Sequence, residues 1–492
     1  MLLSDVLATA VERAPGTAAV ITEAETVTFA ELAARVEARA AQIVALTEPG
    51  DRVAVLSENR VEYVELYYAA PLAGRVLVPL NHRLHPEEWR TTLAASGARV
   101  IFGERPFLDR MNREVEPVAA IEHAIEFDGE LGHATDTPPF IAPPRAADDV
   151  AWLIGTSGTT GSPKLAMLSD ANLIAAVDAT SPARPVGEDD VLLTPFPLCH
   201  VAGYNVLVMH RRARPIVLQR TFDVLGLTRL VREHQVTMLS LAPTMIAMLL
   251  DHPEVDDGDL VSVRALGYGA SPIPGPTLRR VIERWNWDCS QGFGMTELGG
   301  NAAFLGPEEH RRAAAGDARL LVAAGRPSPG VEVRLGDDDE LLVRAPQVMR
   351  GYWNDADATA AAVHDGWLHT GDVARIDDDG IVSIIDRKKD VIVSGGENVA
   401  SREVEEVLHG HPSVADVAVI GVPDERWGER VCAVVVAREP IDADALIAHC
   451  RAHLAGFKSP REVQFVDALP RNASGKILKH QLRAQFGASD VR

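Results

Sequence analysis

Gly155-Thr-Ser-Gly-Thr-Thr-Gly-Ser-Pro-Lys164 packs three glycines, five hydroxyl residues and one lysine into ten positions, directly after the apolar run 150–154. Glycines let backbone N–H groups converge on an anion, hydroxyls add donors and a lysine adds charge. The stretch therefore reads as a phosphate-binding loop leaving a strand. It is not a Walker A loop, because Ser162 and Pro163 follow Gly161 where that motif needs Lys and Ser or Thr. This argues against a P-loop kinase or ATPase. A flexible Ser/Thr/Gly linker is the competing reading, but such linkers rarely follow an apolar strand and end in Pro-Lys.

Outward from this loop, strand-like and helix-like segments alternate. Thr28 and Glu31 are spaced as a capping box, and Leu32, Val36 and Ile43 recur at helical spacing. The runs 52–56, 75–80 and 99–102 are short, apolar or β-branched, and closed by Gly, Pro, Asn or acidic residues. Strands separated by helical stretches indicate βαβ units and a largely parallel sheet. At 492 residues the chain is too long for one typical core. A dense charge cluster, Asp386-Arg-Lys-Lys-Asp390, separates the β-rich runs 381–385 and 391–393. Beyond it come a helix-like segment at 403–408, strand-like runs at 417–420 and 431–436, and another helix, enough for a small α+β domain. The expected fold class is α/β: a large N-terminal domain of parallel-type β-sheets layered with helices, residues 1–386, and a small mobile α+β domain, residues 387–492, with a hinge near 386–390.

The formal charge of −22 argues against nucleic acid or an anionic membrane as the main partner. It also means that anionic substrates need local cationic sites. The longest apolar runs, such as 245–250, fall far short of the roughly 20 residues of a membrane span. The early acids Asp5 and Glu12, with no basic flank before an apolar stretch, do not resemble a signal peptide, so a cytoplasmic protein is expected. Cys199, Cys289, Cys432 and Cys450 are scattered, without zinc-like spacing, and read as buried single thiols. The basic cluster Arg211, Arg212 and Arg214 beside His210 reads most simply as a solvated loop. Contact of that cluster with CoA or with a membrane surface stays open, as does a homodimer. The acidic run 337–340 is expected to be a turn between strands.

Further motifs follow in a fixed order: Gly267-Tyr-Gly-Ala-Ser-Pro272, Gln291-Gly-Phe-Gly-Met-Thr-Glu297, the segment 340–354, Gly366-Trp-Leu-His-Thr-Gly-Asp372, the 386–390 cluster, Ser394-Gly-Gly-Glu-Asn398 and Leu469-Pro-Arg-Asn-Ala-Ser-Gly-Lys476. With the phosphate loop, this series resembles the adenylate-forming superfamily, which includes acyl-CoA synthetases, coumarate-CoA ligases, luciferases and peptide-synthetase adenylation domains. The resemblance covers nearly the whole chain.

The resemblance implies a site for ATP, magnesium, a carboxylic acid and coenzyme A. Thr156, Ser157, Gly158, Thr159, Thr160, Gly161 and Lys164 would hold phosphates. Gly267, Gly269 and Ala270 would form the backbone wall for adenine, with Ser271, Gly292 and Gly294 also in the nucleotide site. Phe293, where tyrosine is usual, would stack on the ring without offering a hydroxyl; a core role is its alternative. Thr296 would contact phosphate and Glu297 would bind magnesium. Asp372 and Arg387 would hold the ribose, although a lone Asp in such a turn otherwise reads as a cap. Lys476 would be the catalytic cation holding carboxylate and α-phosphate together. Lys389 falls at the hinge, and Gly395 and Gly396 would let pantetheine pass close to backbone after the small domain rotates. His200 would sit at the mouth of the acid pocket, with a core histidine as its alternative. Gly203, Tyr204, Gly267, Gly292 and residues 298–301 would line that pocket.

The function implied is activation of a fatty or aryl acid as acyl-AMP, then transfer to CoA. A ligase loading a carrier protein and a catalytically silent nucleotide-binding scaffold are the alternatives. Departures from the family pattern are Leu165 after the loop lysine, Asp170 where histidine is usual, the arginine cluster, and Ser401 where proline is usual.

Overall fold

The computed structural model describes residues 1–129, 140–156, 164–269, 273–321, 323–388, 390–394, 397–424, 426–472 and 475–487. Three sheets organise them. The first has the strand order His123–Glu126, Val100–Gly103, Arg52–Leu56, Val76–Leu80, Val150–Thr156 and Lys164–Ser169. All neighbours run parallel except the last pair, which is antiparallel, Thr156 facing Lys164. Helices Val61–Leu72, Pro86–Ser96 and Arg105–Glu114 make the crossovers. Val76–Leu80 is buried at every position, as a strand covered by helices on both faces must be.

The second and largest sheet changes character along its width. From Ala18–Ile21 through Ile216–Leu218, Leu192–Thr194, Met238–Leu241 and Ala265–Gly269 to Asp288–Met295 the neighbours are parallel. Gly300–Leu305, Ala323–Pro327, Val382–Arg387, Trp367–Ile376, Glu340–Arg344 and Glu332–Leu335 then continue it antiparallel. The parallel-type expectation thus holds for one half only. Connections as short as 336–339 and 377–381 can close a hairpin but not a crossover. The acidic run indeed makes the first of these turns, as a short 3-10 segment at Asp337–Asp339.

The small domain has its own sheet of Glu397–Val399, Ile392–Ser394, Gly428–Ala437, Val414–Asp424 and Glu462–Phe465, covered by helices Ser401–His409, Ala443–His453 and Lys479–Phe486. It has a separate apolar core around Val404, Leu408, Val419, Val435 and Leu446. The architecture is therefore α/β with a large N-terminal and a small C-terminal domain.

Local signals survive in the fold. Thr28 caps helix Phe29–Leu46, with Glu31 N donating to Thr28 Oγ1 at 3.3 Å and Thr28 N to Glu31 Oε2 at 2.8 Å. The four cysteines are buried and free. His210 is a core residue: its Nδ1 lies 2.8 Å from the Tyr68 hydroxyl and its Nε2 3.1 Å from the Ala19 carbonyl oxygen. Next to it Arg212 is exposed and Arg211 and Arg214 are half-buried. Among the described residues no helix is long and apolar enough to cross a membrane.

Candidate active site

The candidate site lies at the C-terminal ends of the adjacent parallel strands Ala265–Gly269 and Asp288–Met295, where open α/β sheets bind ligands. Gly267 pairs with Ser290 and Gly269 with Gly292, so one face of this strand pair is nearly bare backbone. A Cβ on Gly269 would lie 2.8 Å from the Gly292 carbonyl oxygen. One on Gly292 would run into the Asn301 side chain, and one on Gly294 into the Gly300 carbonyl. Without Cβ atoms the wall lets other groups pack directly on backbone, as the Asn301 side chain does at Gly292. Phe293 is partly buried against the cluster of Leu298, Ala302, Ala324 and Leu341, so one side of it belongs to the core.

Strand Asp288–Met295 ends in a single 3-10 turn, Thr296–Leu298, which turns the buried Glu297 inward. Met349 N donates to the Glu297 carbonyl at 2.8 Å and Tyr352 Oη donates to Glu297 Oε1 at 2.7 Å. Lys164 Nζ lies 5.2 Å from the centroid of the Tyr352 ring. Burial and then the Glu297 charge push the Tyr352 phenol well above its ordinary range, which keeps it a neutral donor. Glu297 is thus held at one oxygen, while the other accepts no hydrogen bond among the described residues. That donor set fits a hard divalent ion sharing its remaining sites with phosphate oxygens and water. No group of three or more His, Cys, Asp or Glu among the described residues could hold a metal by itself.

Asp372 and Arg387 face each other across the antiparallel strands Trp367–Ile376 and Val382–Arg387. Arg387 Nε is 2.8 Å from Asp372 Oδ1, and its Nη1 donates to the Thr370 carbonyl at 3.2 Å. Asp372 is 3% exposed. Burial raises its pKa, while the charges of Arg387, Lys476 and Arg402 pull it back down without cancelling the rise. Lys476 and Arg402 belong to the small domain, so its docking brings two of its charges to bear on Asp372. The docking has direct bonds: Ser401 N and Oγ each donate to Asp386 Oδ2 at 2.6 Å, and Arg402 Nη1 donates to the Ile384 carbonyl at 3.0 Å. Lys476 is exposed on a turn in which its N–H donates to Asn472 Oδ1 at 2.8 Å and Gly475 takes a φ of +83°.

His200 precedes the 3-10 turn Val201–Gly203, with Nε2 3.5 Å from Asn81 Nδ2. Burial, then the nearby Arg83 and His82, bring its pKa down to about 4. The ring is therefore neutral near pH 7. Gly203 leaves no room for a Cβ beside the Tyr67 hydroxyl. Tyr204 is buried, and its hydroxyl accepts from Asn301 Nδ2 at 2.8 Å and lies 3.1 Å from Thr180 Oγ1.

The fold therefore assembles Lys164 with Glu297, and Asp372 with Arg387 and Lys476. Thr156 ends its strand opposite Lys164. Ser157, Gly158, Thr159, Thr160, Gly161, Ala270, Ser271, Lys389, Gly395 and Gly396 lie outside the described residues. Sequence reading passed over Tyr352 and Arg402. Tyr352 falls inside the quoted segment 340–354, but its bond to Glu297 spans 55 positions and exists only in the fold. Glu403, by contrast, pairs with Lys458 at 2.7 Å inside the small domain.

Known proteins resemble this chain over nearly its whole length. The family described as AMP-binding enzyme matches residues 7–353, and the AMP-binding enzyme C-terminal domain matches residues 403–476. The chain is 39% identical over 476 residues to a feruloyl-CoA synthase of Amycolatopsis sp, covering 94% of each. It is 35% identical over 501 residues to the fatty acid–acyl-carrier-protein ligase ScoC of Streptomyces coeruleorubidus, covering 97% of this chain and 95% of that one. The solved o-succinylbenzoate CoA synthetase (MenE) of Bacillus subtilis, in complex with the acyl-adenylate intermediate OSB-AMP, aligns at a TM-score of 0.87 and 32% identity, covering 99% of this chain and 98% of that one. Matched by both family models and sharing 39% identity with a relative over 94% of its length, this chain belongs to the AMP-binding enzyme family of the adenylate-forming superfamily.

Proposed function

We propose that the chain is an ATP-dependent acid–thiol ligase that converts a fatty or aryl carboxylic acid to its acyl-CoA. The carboxylate attacks the α-phosphorus of ATP, the bond to the β-phosphate oxygen breaks, and pyrophosphate leaves. A thiol then attacks the carbonyl of the mixed anhydride, and AMP leaves. The single observation that carries the reading is the Asp372–Arg387 pair, with the charge of Lys476 from the small domain acting on Asp372. A substrate bound there meets a diol acceptor and a cation together.

In this reading residues 156–161, Lys164 and Thr296 hold the phosphates. Gly269, Ala270, Ser271, Gly292, Gly294 and Phe293 hold the base, and Asp372 with Arg387 holds the ribose. Magnesium, carried at Glu297, neutralises phosphate charge when bound. Lys476 holds two anions together that would otherwise repel, so catalysis is positioning plus electrostatics and needs no protein nucleophile. His200, being neutral, adds no charge at the mouth of the acid pocket. The boundary expected at 386/387 moves to just after Arg387, with Lys389 as the hinge: Val382–Arg387 is a strand of the large sheet and Ile392–Ser394 a strand of the small one. Rotation there would exchange the Lys476 turn for Gly395 and Gly396, beside which the pantetheine arm would pass. The four buried free thiols support a cytoplasmic setting.

The test is acid-dependent pyrophosphate release over graded fatty acids and substituted benzoic and cinnamic acids, with and without CoA. Release with one class of acid and faster turnover with CoA are expected. Release with no acid would overturn the reading in favour of a silent nucleotide-binding scaffold. The similarity to ScoC favours one second reading, transfer to a carrier protein. Release that CoA leaves unchanged, but a phosphopantetheinylated carrier accelerates, would select it.

A further inference from the structure

Arg184 lies between helix Asp170–Thr180 and strand Leu192–Thr194. Its guanidinium rests on the bare backbone of Gly267: a Cβ there would be 2.8 Å from Cζ, 3.0 Å from Nη1 and 3.2 Å from Nε. Nη2 donates to the carbonyls of Tyr268 and Ser290, each at 3.2 Å, and Nε reaches Ser290 Oγ at 3.5 Å. The Phe304 ring centroid is 5.4 Å away. Nη1 donates to no described residue, and no carboxylate pairs with the group. The buried Arg39 and Arg145 differ, since each has a buried acid, Glu65 at 3.0 Å and Asp170 at 2.6 Å. Arg184 is half-buried, and a partly desolvated cation set among neutral groups gains from any acceptor brought to it. The burial indeed lowers the Arg184 pKa, with the hydroxyls of Tyr204 and Tyr268 the groups that oppose the fall.

The position of the group says what that acceptor belongs to. Gly267 is on the same strand face as Gly269 and two residues earlier, about 6.6 Å deeper along the wall. Tyr204, bonded to Asn301 beside Gly292, flanks the same space. An acid whose carboxylate reacts at the Lys476 end would extend its far end toward Arg184, and a planar fork suits a carboxylate or another oxygen acceptor. We propose that Arg184 closes the inner end of the acid pocket and selects acids carrying an oxygen acceptor, a second carboxylate in the strongest case, at the end remote from the activated carboxyl. This inference rests on the ligase reading above.

The test compares kcat/KM for pyrophosphate release within matched pairs: octanoate against octanedioate, benzoate against 4-hydroxybenzoate and terephthalate, and cinnamate against 4-hydroxycinnamate and 4-carboxycinnamate. In the wild type the acceptor-bearing member of the pair that fits best should lead by at least about tenfold, since an unanswered polar group penalises the plain acid. The carboxylate and hydroxyl arms tell which acceptor it is. Arg184→Met should abolish the preference and leave the plain acid within about threefold, whereas Arg184→Lys should keep part of it. Should the methionine variant fail to fold, the wild-type ratio and the lysine variant decide. A wild-type preference for plain acids, an Arg184→Met effect equal on both members, or a preference that survives that substitution would overturn the assignment while leaving the ligase reading intact. A wild type that acts on no acid at all would overturn both.

Discussion

Tyr352 donates its hydroxyl to Glu297 Oε1 at 2.7 Å while Lys164 covers the face of the same ring. One side chain thereby fixes the spacing between an acid and a cation that arrive from different motifs. Tyr352→Phe keeps the ring and deletes the bond. Removing one hydrogen bond to a charged group costs about 1.5–3 kcal/mol. We expect kcat/KM for ATP to fall by roughly 10- to 100-fold and the magnesium requirement to rise, with little change in thermal unfolding. A magnesium titration of pyrophosphate release checks both, and an unchanged requirement would refute the positioning role.

Lys476 acts only in the first half-reaction if its turn leaves the site when the small domain rotates. Lys476→Ala should slow adenylation by about 100- to 1000-fold, the usual loss for one electrostatic donor to developing charge. Thioester formation from supplied acyl-adenylate should stay within a few-fold of wild type. Equal losses in both half-reactions would contradict the exchange of loops.

His210 and His310 are enclosed and His200 is half-buried, and burial brings each to about 4. In the unfolded chain they titrate near 6.5. Below that pH the unfolded state binds more protons, so stability falls as pH drops from about 6.5 toward 4. His310, whose Nε2 lies 2.8 Å from the Tyr268 hydroxyl, is the simplest to replace. Unfolding free energies of His310→Gln measured from pH 4 to 8 should decline less steeply than those of the wild type. Parallel curves would rule out its share.

Asp170 stands where the family pattern has histidine, and the fold explains the departure. Its Oδ1 accepts from Leu3 N at 2.8 Å, and its Oδ2 is 2.6 Å from Arg145. The carboxylate thus pins the first helix, Leu3–Arg13, and the 145–149 segment to the core. Asp170→Ala strands a buried guanidinium and should cost about 3–5 kcal/mol in chemical unfolding, whereas Asp170→Leu with Arg145→Met should recover most of it. A single-variant loss below about 1 kcal/mol, well under that range, would show the pair to be dispensable.

Much of this protein was legible in its sequence because the deciding features are local. A glycine-rich turn after an apolar strand, a capping box at Thr28 and Glu31, and a charge cluster beside the last strand of the large sheet each follow from neighbouring residues. The order of motifs along the chain was enough to name the family and the α/β class. The antiparallel half of the large sheet was not legible, because strand direction depends on which distant strand becomes the neighbour. Ser401 read as a departure from a proline, yet its N–H and hydroxyl both bind Asp386, fifteen positions back. Tyr352 and Arg184 carried no signal either. One meets Glu297 across 55 positions, the other Ser290 across 106. Sequence periodicity reports which face of an element is buried, but not which two faces meet. Only the packed chain puts a hydroxyl on one carboxylate, an arginine across the strand from another, and the Arg184 guanidinium on the backbone of Gly267.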